Sequence, residues 1–586
     1  MKRWLPQYST RETGGSIVQS VDDWHSLQNT YAARRLIRYN YYNLVTGDRS
    51  VLKQTGNRNF SKLLIDYAIE EKDINLLPVV KSISADTGAD ESLRQRASEA
   101  VEILEEHIRS SGTRTRAGVF DPEADKNANA RRLLAGIRSP HTTEILRLLR
   151  DKSPIQKRYA IYAIGKFRLT DMLPEVCAAL TDPRLVPDAC AVLHSFGSSA
   201  AGDLQRLYLA TSGNLVTGRH ILKLLGENCI EDNRAFLISL LGSSLRHVRE
   251  IILQFLTECN FRAREEEKGH LLQLISDTGK IISWIVSLRS GLDTGNNNTL
   301  LVEELENEYL RWKDYLKKLT GVTLAEGELD SKANRGDEAL LKEWIREVLS
   351  DPPDTGHEEA YYRKMYRRLK RYFPSKIPSY YKIHEDIINC DYNFLTLFTK
   401  TCAVRNIGEI EDDELADSLI ALLFSPEEIL REEAARVLAR PEMKHTQKIT
   451  GRIQTREREY IEQIISGRRD DMEFIFEKLL FLASVLPGIN KDELLILASG
   501  MIYAAGNTGQ LTFPPEGFIA WVFMKGNTEP EIIINTANAD INHDTLTLTD
   551  KTEFCCILPL SAVEEFDYQF PESSFAIFKI IDDNEV

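Results

Sequence analysis

Six cations crowd one short stretch of the sequence. Between Tyr361 and Tyr372 stand Arg363, Lys364, Arg367, Arg368, Lys370 and Arg371, interleaved with Tyr361, Tyr362 and Tyr366. On a helix the cations would cover much of the surface while the tyrosines and Met365 anchor it. Such interleaving suits an anionic partner, a membrane surface or nucleic acid. It equally suits a solvated helix that neutralises nearby acids, Glu358 and Glu359 or the acidic end of the chain. Other combinations fall short of chemistry. Gly279-Lys280 lacks the preceding glycine of a phosphate-binding loop. His357-Glu358-Glu359 has Tyr361 where an HExxH zinc site needs its second histidine. The eleven histidines are dispersed, with no convincing zinc spacing to cysteine. Cys555 and Cys556 are adjacent on an expected strand, so they point to opposite faces and pack rather than chelate.

The elements that must position these residues read as helices. From Thr143 to Phe261 one helix-pair pattern recurs four times. Ile145, Leu148 and Leu149 fall at i, i+3 and i+4, Lys152-Ser153-Pro154 breaks the chain, and a second helix carries Tyr159, Ala163 and Phe167. The next copy has Leu173, Val176, Cys177 and Leu180, then Val186, Cys190 and Leu193 beyond a break at Pro183. The third pairs Leu204, Leu207 and Tyr208 with Ile221, Leu224 and Leu225. The fourth pairs Leu237, Leu240 and Leu241 with Val248, Ile251, Ile252 and Phe255. This spacing gathers the apolar residues on one helical stripe. The steps from Ile145 through Leu173 and Leu204 to Leu237 are 28, 31 and 33 residues. One pair cannot bury its stripe alone, so neighbours must stack. The predicted fold class is therefore mostly α: an α-solenoid of helix pairs, followed by a small α+β domain.

Residues 1–57 form a polar, aromatic-rich extension, in which Asp22 to Leu44 could be a helix docking on the array. The array itself is assigned to 58–443, with interruptions near 110–129, 291–298 and 324–356. Helices are expected around Leu63 to Ala68, Leu76 to Ile83, Leu93 to Ile108 and Leu301 to Leu319. Beyond Phe261 the periodicity blurs. A late pair returns with Leu415, Leu419 and Leu422, the break Ser425-Pro426, then Ala434, Val437 and Leu438. A connector helix is assigned to 444–470 and the terminal domain to 471–586. No run of about 18 apolar residues suggests a membrane span, and Met1 to Gln7 has no apolar stretch behind it to make a secretory signal. The eight cysteines form no CxxC and mostly sit on apolar helix faces, which reads as reduced thiols in a cytoplasmic protein.

Charge is unevenly placed. Residues 471–586 hold five lysines and no arginine against 19 acids, so this segment carries nearly all of the formal −15. Nucleic acid is a poor partner for that end, because binding phosphates needs clustered cations. A basic protein partner or a purely solubilising surface fits better.

The repeat period, near 30 residues with two helices per unit, resembles HEAT-type repeats. The terminal stretch EKLLFLASVLPGINKDELLILASGMIYAAGNTGQLTF, Glu477 to Phe513, resembles the opening of a cyclic nucleotide-binding-like domain. There a helix and its turn precede a second helix and an eight-stranded β-roll. Here the helices fall at Phe476 to Ser484 and Lys491 to Ser499, and Gly506-Asn507-Thr508-Gly509 makes the first hairpin turn. Strand-like segments follow at Phe518 to Met524, Glu531 to Asn535, Thr545 to Leu548 and Thr552 to Ile557. The end, SAVEEFDYQFPESSFAIFKIIDD, resembles that family's closing helices. The family holds the cyclic phosphate with an arginine in a short cassette. Here no arginine occurs after Arg469, and Glu516-Gly517 reverses the order of the ribose-binding pair and stands too early. A buried phosphate without a guanidinium partner is disfavoured, so the resemblance implies a fold kept without its ligand. The order of repeats and then this domain is similar to the soluble tails of bacterial ATP/ADP-carrier-type transporters. That implies a bacterial source and a membrane transporter as partner.

Three functions remain open on these readings. The first is a non-enzymatic cytoplasmic scaffold that binds a protein partner through its repeats. It would associate peripherally with a membrane if the basic cluster meets lipid headgroups. It carries no catalytic, cofactor-binding or metal residues and needs no cofactor. The second is a cyclic-nucleotide-responsive regulator, with a cation supplied from the array by Arg468 or Arg469. The third is a solenoid enzyme with polar residues converging in its groove.

Overall fold

A computed structural model describes residues 37, 40–46, 58–70, 72–111, 142–211, 215–228, 230–243, 246–258, 260–292, 298–323, 343–346, 348–349, 358–372, 382–390, 394–407, 413–441, 451–468, 470–505, 510–512, 517–524, 531–536, 545–547, 552–570, 573–574 and 577. The chain is mostly helical, with a small antiparallel sheet near its C-terminus. Most of the 1–57 extension, the expected loops at 112–129 and 324–342, and the Gly506 to Gly509 turn lie outside these residues.

The first helices are α1 (Tyr41–Thr46), α2 (Arg58–Glu70), α3 (Leu77–Ser84) and α4 (Glu91–Ser111). The four pairs read from the sequence are all present. They are α5 (Thr142–Leu149) with α6 (Pro154–Lys166), α7 (Leu173–Ala178) with α8 (Val186–Phe196), α9 (Ala201–Ala210) with α10 (Leu215–Asn228), and α11 (Ile230–Leu240) with α12 (Arg246–Glu258). Pro183 lies in the turn before α8, as read. Pro154, also read as part of a break, instead opens α6, and Pro187 stands in the first turn of α8, where its missing N–H leaves no bond unmade. Phe167 caps its helix rather than lying within it.

Two long helices follow, α13 (Glu265–Gly291) and α14 (Thr299–Thr323), packed along each other. Leu271, Ile275, Thr278, Gly279, Ile282, Ile285 and Val286 are buried along one stripe of α13, and Leu288 is buried off it. Among the described residues α13 alone has the length and apolarity to cross a membrane. Its apolar window is 56% buried in the protein, and α14 and α15 (Glu358–Tyr372) lie against it. Next come α16 (Ile383–Asn389), α17 (Leu397–Arg405), α18 (Asp413–Leu422), α19 (Glu428–Ala439) and the connector α20 (Thr455–Ser466).

The packing has a simple order. The second helices of successive pairs touch in the sequence α6, α8, α10, α12, α14, α17 and α19. Among the first helices, α7 packs on α9 and α16 on α18. Polar links tie neighbours inside this order. Arg158 of α6 reaches buried Asp188 of α8 at 3.0 Å. Arg234 of α11 grips Glu267 of α13 through Nε at 2.7 Å and Nη2 at 2.6 Å. Two glycines permit close approach. A Cβ on Gly226 of α10 would meet the Phe255 ring of α12 at 2.4 Å, and one on Gly165 of α6 would meet the Tyr42 hydroxyl at 2.7 Å. The second contact seats α1 on α6; the helix expected at Asp22 to Leu44 falls mostly outside the described residues.

The terminal domain has helices α21 (Ile475–Val485), α22 (Lys491–Gly500) and α23 (Leu560–Gln569). Its strands are β1 (Ile502–Ala505), β2 (Gln510–Thr512), β3 (Gly517–Met524), β4 (Glu531–Thr536), β5 (Thr545–Thr547) and β6 (Thr552–Pro559). They lie where the alternation places them. Six strands are described, four in the order β1-β6-β3-β4 and two, β2 and β5, paired apart. Both faces of the larger sheet are covered. Cys555 and Ile557 join Ala504, Phe518, Ala520 and Val522 on one side, while Cys556 and Leu558 join Ile519, Trp521 and the helices on the other. The two cysteines thus point apart, as the strand geometry requires.

Candidate functional site

The six cations of the sequence stand on α15. Tyr362, Met365 and Leu369, at i, i+3 and i+7, are buried against the array. Tyr362 is held on several sides. Its hydroxyl donates to Glu306 Oε1 at 2.9 Å, its ring meets Tyr309 edge-on at 5.7 Å, and the Arg289 guanidinium lies 4.9 Å from its centroid. Burial, and next the Glu306 charge, raise this hydroxyl far above the ordinary tyrosine value, so it stays a donor.

Arg363, Lys364, Arg367, Arg368, Lys370 and Arg371 are all exposed. At 100° per residue they share an arc of about 160° on the side away from Tyr362 and Leu369. Lys370 and Arg371 occupy the last turn, where the helix dipole favours cations. Among the described residues Lys364, Arg367, Lys370 and Arg371 make no ion pair. The helix therefore presents a cationic face on a rigid base.

A second charged region joins the array to the terminal domain, and here the charges are paired around the buried carboxylates of Glu304, Glu432 and Glu433. Glu432 of α19 accepts from the Ile475 N–H at 2.8 Å and binds the Arg468 guanidinium. Arg436 reaches Glu433 Oε1 at 2.9 Å, Asp471 Oδ1 at 2.9 Å and Glu477 Oε1 at 3.2 Å, and lies over the Phe474 ring at 4.4 Å. Arg405 of α17 meets Glu477 at 2.7 Å and covers Phe476. Lys491 of α22 pairs with Glu304 of α14, beside the stacked rings of Phe398 and Phe476. Farther along, Arg219 of α10 lies over Phe570 at 4.9 Å and donates to the Gln569 carbonyl at 3.4 Å. Burial raises the Glu433 carboxyl, a cost its two arginines only partly offset.

This junction seats the terminal domain on the second helices of the pairs, from α10 to α19. It also engages Arg468, one of the two array cations that a nucleotide pocket would have needed. Arg469 lies outside the described residues.

A third polar row crosses α8, α10 and α12. His194 Nδ1 stands 3.4 Å from Glu227 Oε2, and burial followed by the Glu227 charge raises the Glu258 carboxyl. Cys190 shares this row, and burial pushes its thiol up to about 12, which favours the neutral form. The thiols of Cys177, Cys555 and Cys556 are raised to about 12 in the same way. Gly279 and Lys280 lie inside α13, a setting in which no phosphate-cradling loop exists. Among the described residues no group of three or more His, Cys, Asp or Glu is placed to hold a metal ion.

The junction contacts were not legible in the sequence, because they join residues up to 350 positions apart. The one hint was the contrast between an arginine-free terminal domain and an arginine-bearing array. Compared with known proteins, the chain matches no family model, no curated protein and no solved structure.

Proposed function

We propose that this chain is a binding scaffold, a HEAT-like solenoid whose cationic α15 face docks an acidic protein partner. In this reading the terminal domain is a degenerate cyclic nucleotide-binding-like fold that serves as a structural module. The observation that carries the proposal is the pair of contrasting settings for cations. Those of the junction are spent on buried carboxylates, whereas those of α15 are exposed and held on a fixed base. The alternating contacts of the helix pairs support stacking of the solenoid kind. A nucleotide-sensing role finds no support, since residues 471–586 contain no arginine and Arg468 is held by Glu432.

A fluorescein-labelled poly-glutamate peptide probes the α15 face directly. Anisotropy should rise on titration with the full chain, and binding should weaken steeply with salt. The variant Lys364→Glu, Arg367→Glu, Lys370→Glu, Arg371→Glu should lose it. Equal binding by this variant would sink the reading. Calorimetric titration with cyclic AMP and cyclic GMP should give flat heats, and saturable binding of either would restore the regulator.

A further inference from the structure

We infer that the acidic partner of the α15 face is the terminal domain of a second copy of this chain. The inference rests on the reading of α15 as a docking face and supplies its occupant.

Both halves of the contact are present in one polypeptide. The six exposed cations of α15 are one half. The other is a domain with no arginine and 19 acids, whose helix α23 turns Glu564 and Glu565 to solvent. Neither carboxylate makes an ion pair among the described residues.

Within one chain the two surfaces are kept apart. Tyr362 of α15 contacts Glu306 of α14, and Lys491 of α22 contacts Glu304 of the same helix. Residues two apart on a helix point about 200° from each other. So α15 and the terminal domain grip α14 from nearly opposite sides, at least two interaxial steps of about 8–10 Å apart. The α15 cations also point away from that grip, because Tyr362, Met365 and Leu369 take the inward side. Among the described residues no contact joins the two surfaces within one chain, so a second molecule can bring them together.

Because the two surfaces differ, the contact is heterologous and repeats head to tail, giving a ring if it closes and a growing series if it does not. The formal −15 of each copy opposes approach at long range. At physiological ionic strength that repulsion is screened beyond about 8 Å, while charges in contact are less affected.

Sedimentation velocity on the full chain over a concentration series tests this, with poly-glutamate binding measured alongside. We expect the mean mass to rise with concentration at low salt, and the association constant to fall at least tenfold at high salt. The fourfold α15 reversal should be monomeric, and so should Glu564→Lys, Glu565→Lys, each with wild-type circular dichroism. Mixing these two variants should restore association between them, because each keeps one intact surface.

A wild-type chain that stays monomeric yet binds poly-glutamate overturns the self-association and leaves the docking face standing. Loss of both readouts removes both. Association unchanged by either reversal also overturns it. So does a monomer that floats with phosphatidylserine vesicles and not with phosphatidylcholine ones, which would assign the face to lipid headgroups.

Discussion

Two regions of this molecule use the same residue types to opposite ends. At the junction, half-buried arginines pair with buried or half-buried glutamates, and Arg405 and Arg436 stack on phenylalanine rings. On α15 the cations stand in water over an apolar seam. A buried pair is costly to break, because removing one partner leaves the other charge uncompensated. An exposed charge contributes little to stability and is accessible to another molecule. Burial, rather than residue type, separates glue from bait.

The comparison breaks most visibly at Glu432. Replacing it with alanine strands the Arg468 guanidinium and the Ile475 N–H, and should cost about 2–4 kcal/mol in urea unfolding. Limited proteolysis should then release the terminal domain before the array. Gly226→Ala tests the array's own packing. The new Cβ cannot coexist with the Phe255 ring at 2.4 Å, so a loss of about 1–3 kcal/mol is expected in the same assay.

A smaller effect sharpens the electrostatic side. Glu433 has a raised carboxyl in the folded state, so its ionised form is the less stable one there. Its contribution is fully present below the unfolded value, near 4.5, and is lost as pH rises through the folded value. Glu433→Gln should therefore lose less stability than the wild type between pH 5 and pH 8, read from urea midpoints. An identical slope would mean that Arg405 and Arg436 compensate the charge fully. The smallest expected effect belongs to α15: the fourfold charge reversal should change unfolding free energy by less than about 0.5 kcal/mol. A large loss would make these cations structural and end the contrast.

Much of the fold is legible in the apolar pattern alone. The stripes of Ile145 to Phe255 and of Leu415 to Leu438 mark real helix pairs, even where a helix such as α6 is buried all round from Tyr159 to Gly165. α13 shows that the period continues beyond Phe261, since Leu271, Ile275, Gly279, Ile282 and Val286 fall on one stripe. The strands of the terminal domain follow from alternation. The candidate face is legible as composition, since six cations in twelve residues leave few places to hide. What sequence cannot supply is which charges are spent. Arg436 and Arg367 look alike in one dimension, and only the folded chain brings Glu433, Glu477 and Asp471 to the first.

The seating of the terminal domain also has a consequence in time. The surface from α10 to α19 is complete as polypeptide before any of residues 471–586 has been made. At roughly 5–20 residues per second, synthesis of those 116 residues takes about 6–23 s. During that interval Phe398 of every nascent chain lacks Phe476, and Arg405 and Arg436 keep Glu433 but lack Glu477. A newborn molecule is thus briefly an open receptor for its own last domain, and a neighbour on the same messenger could offer that domain first.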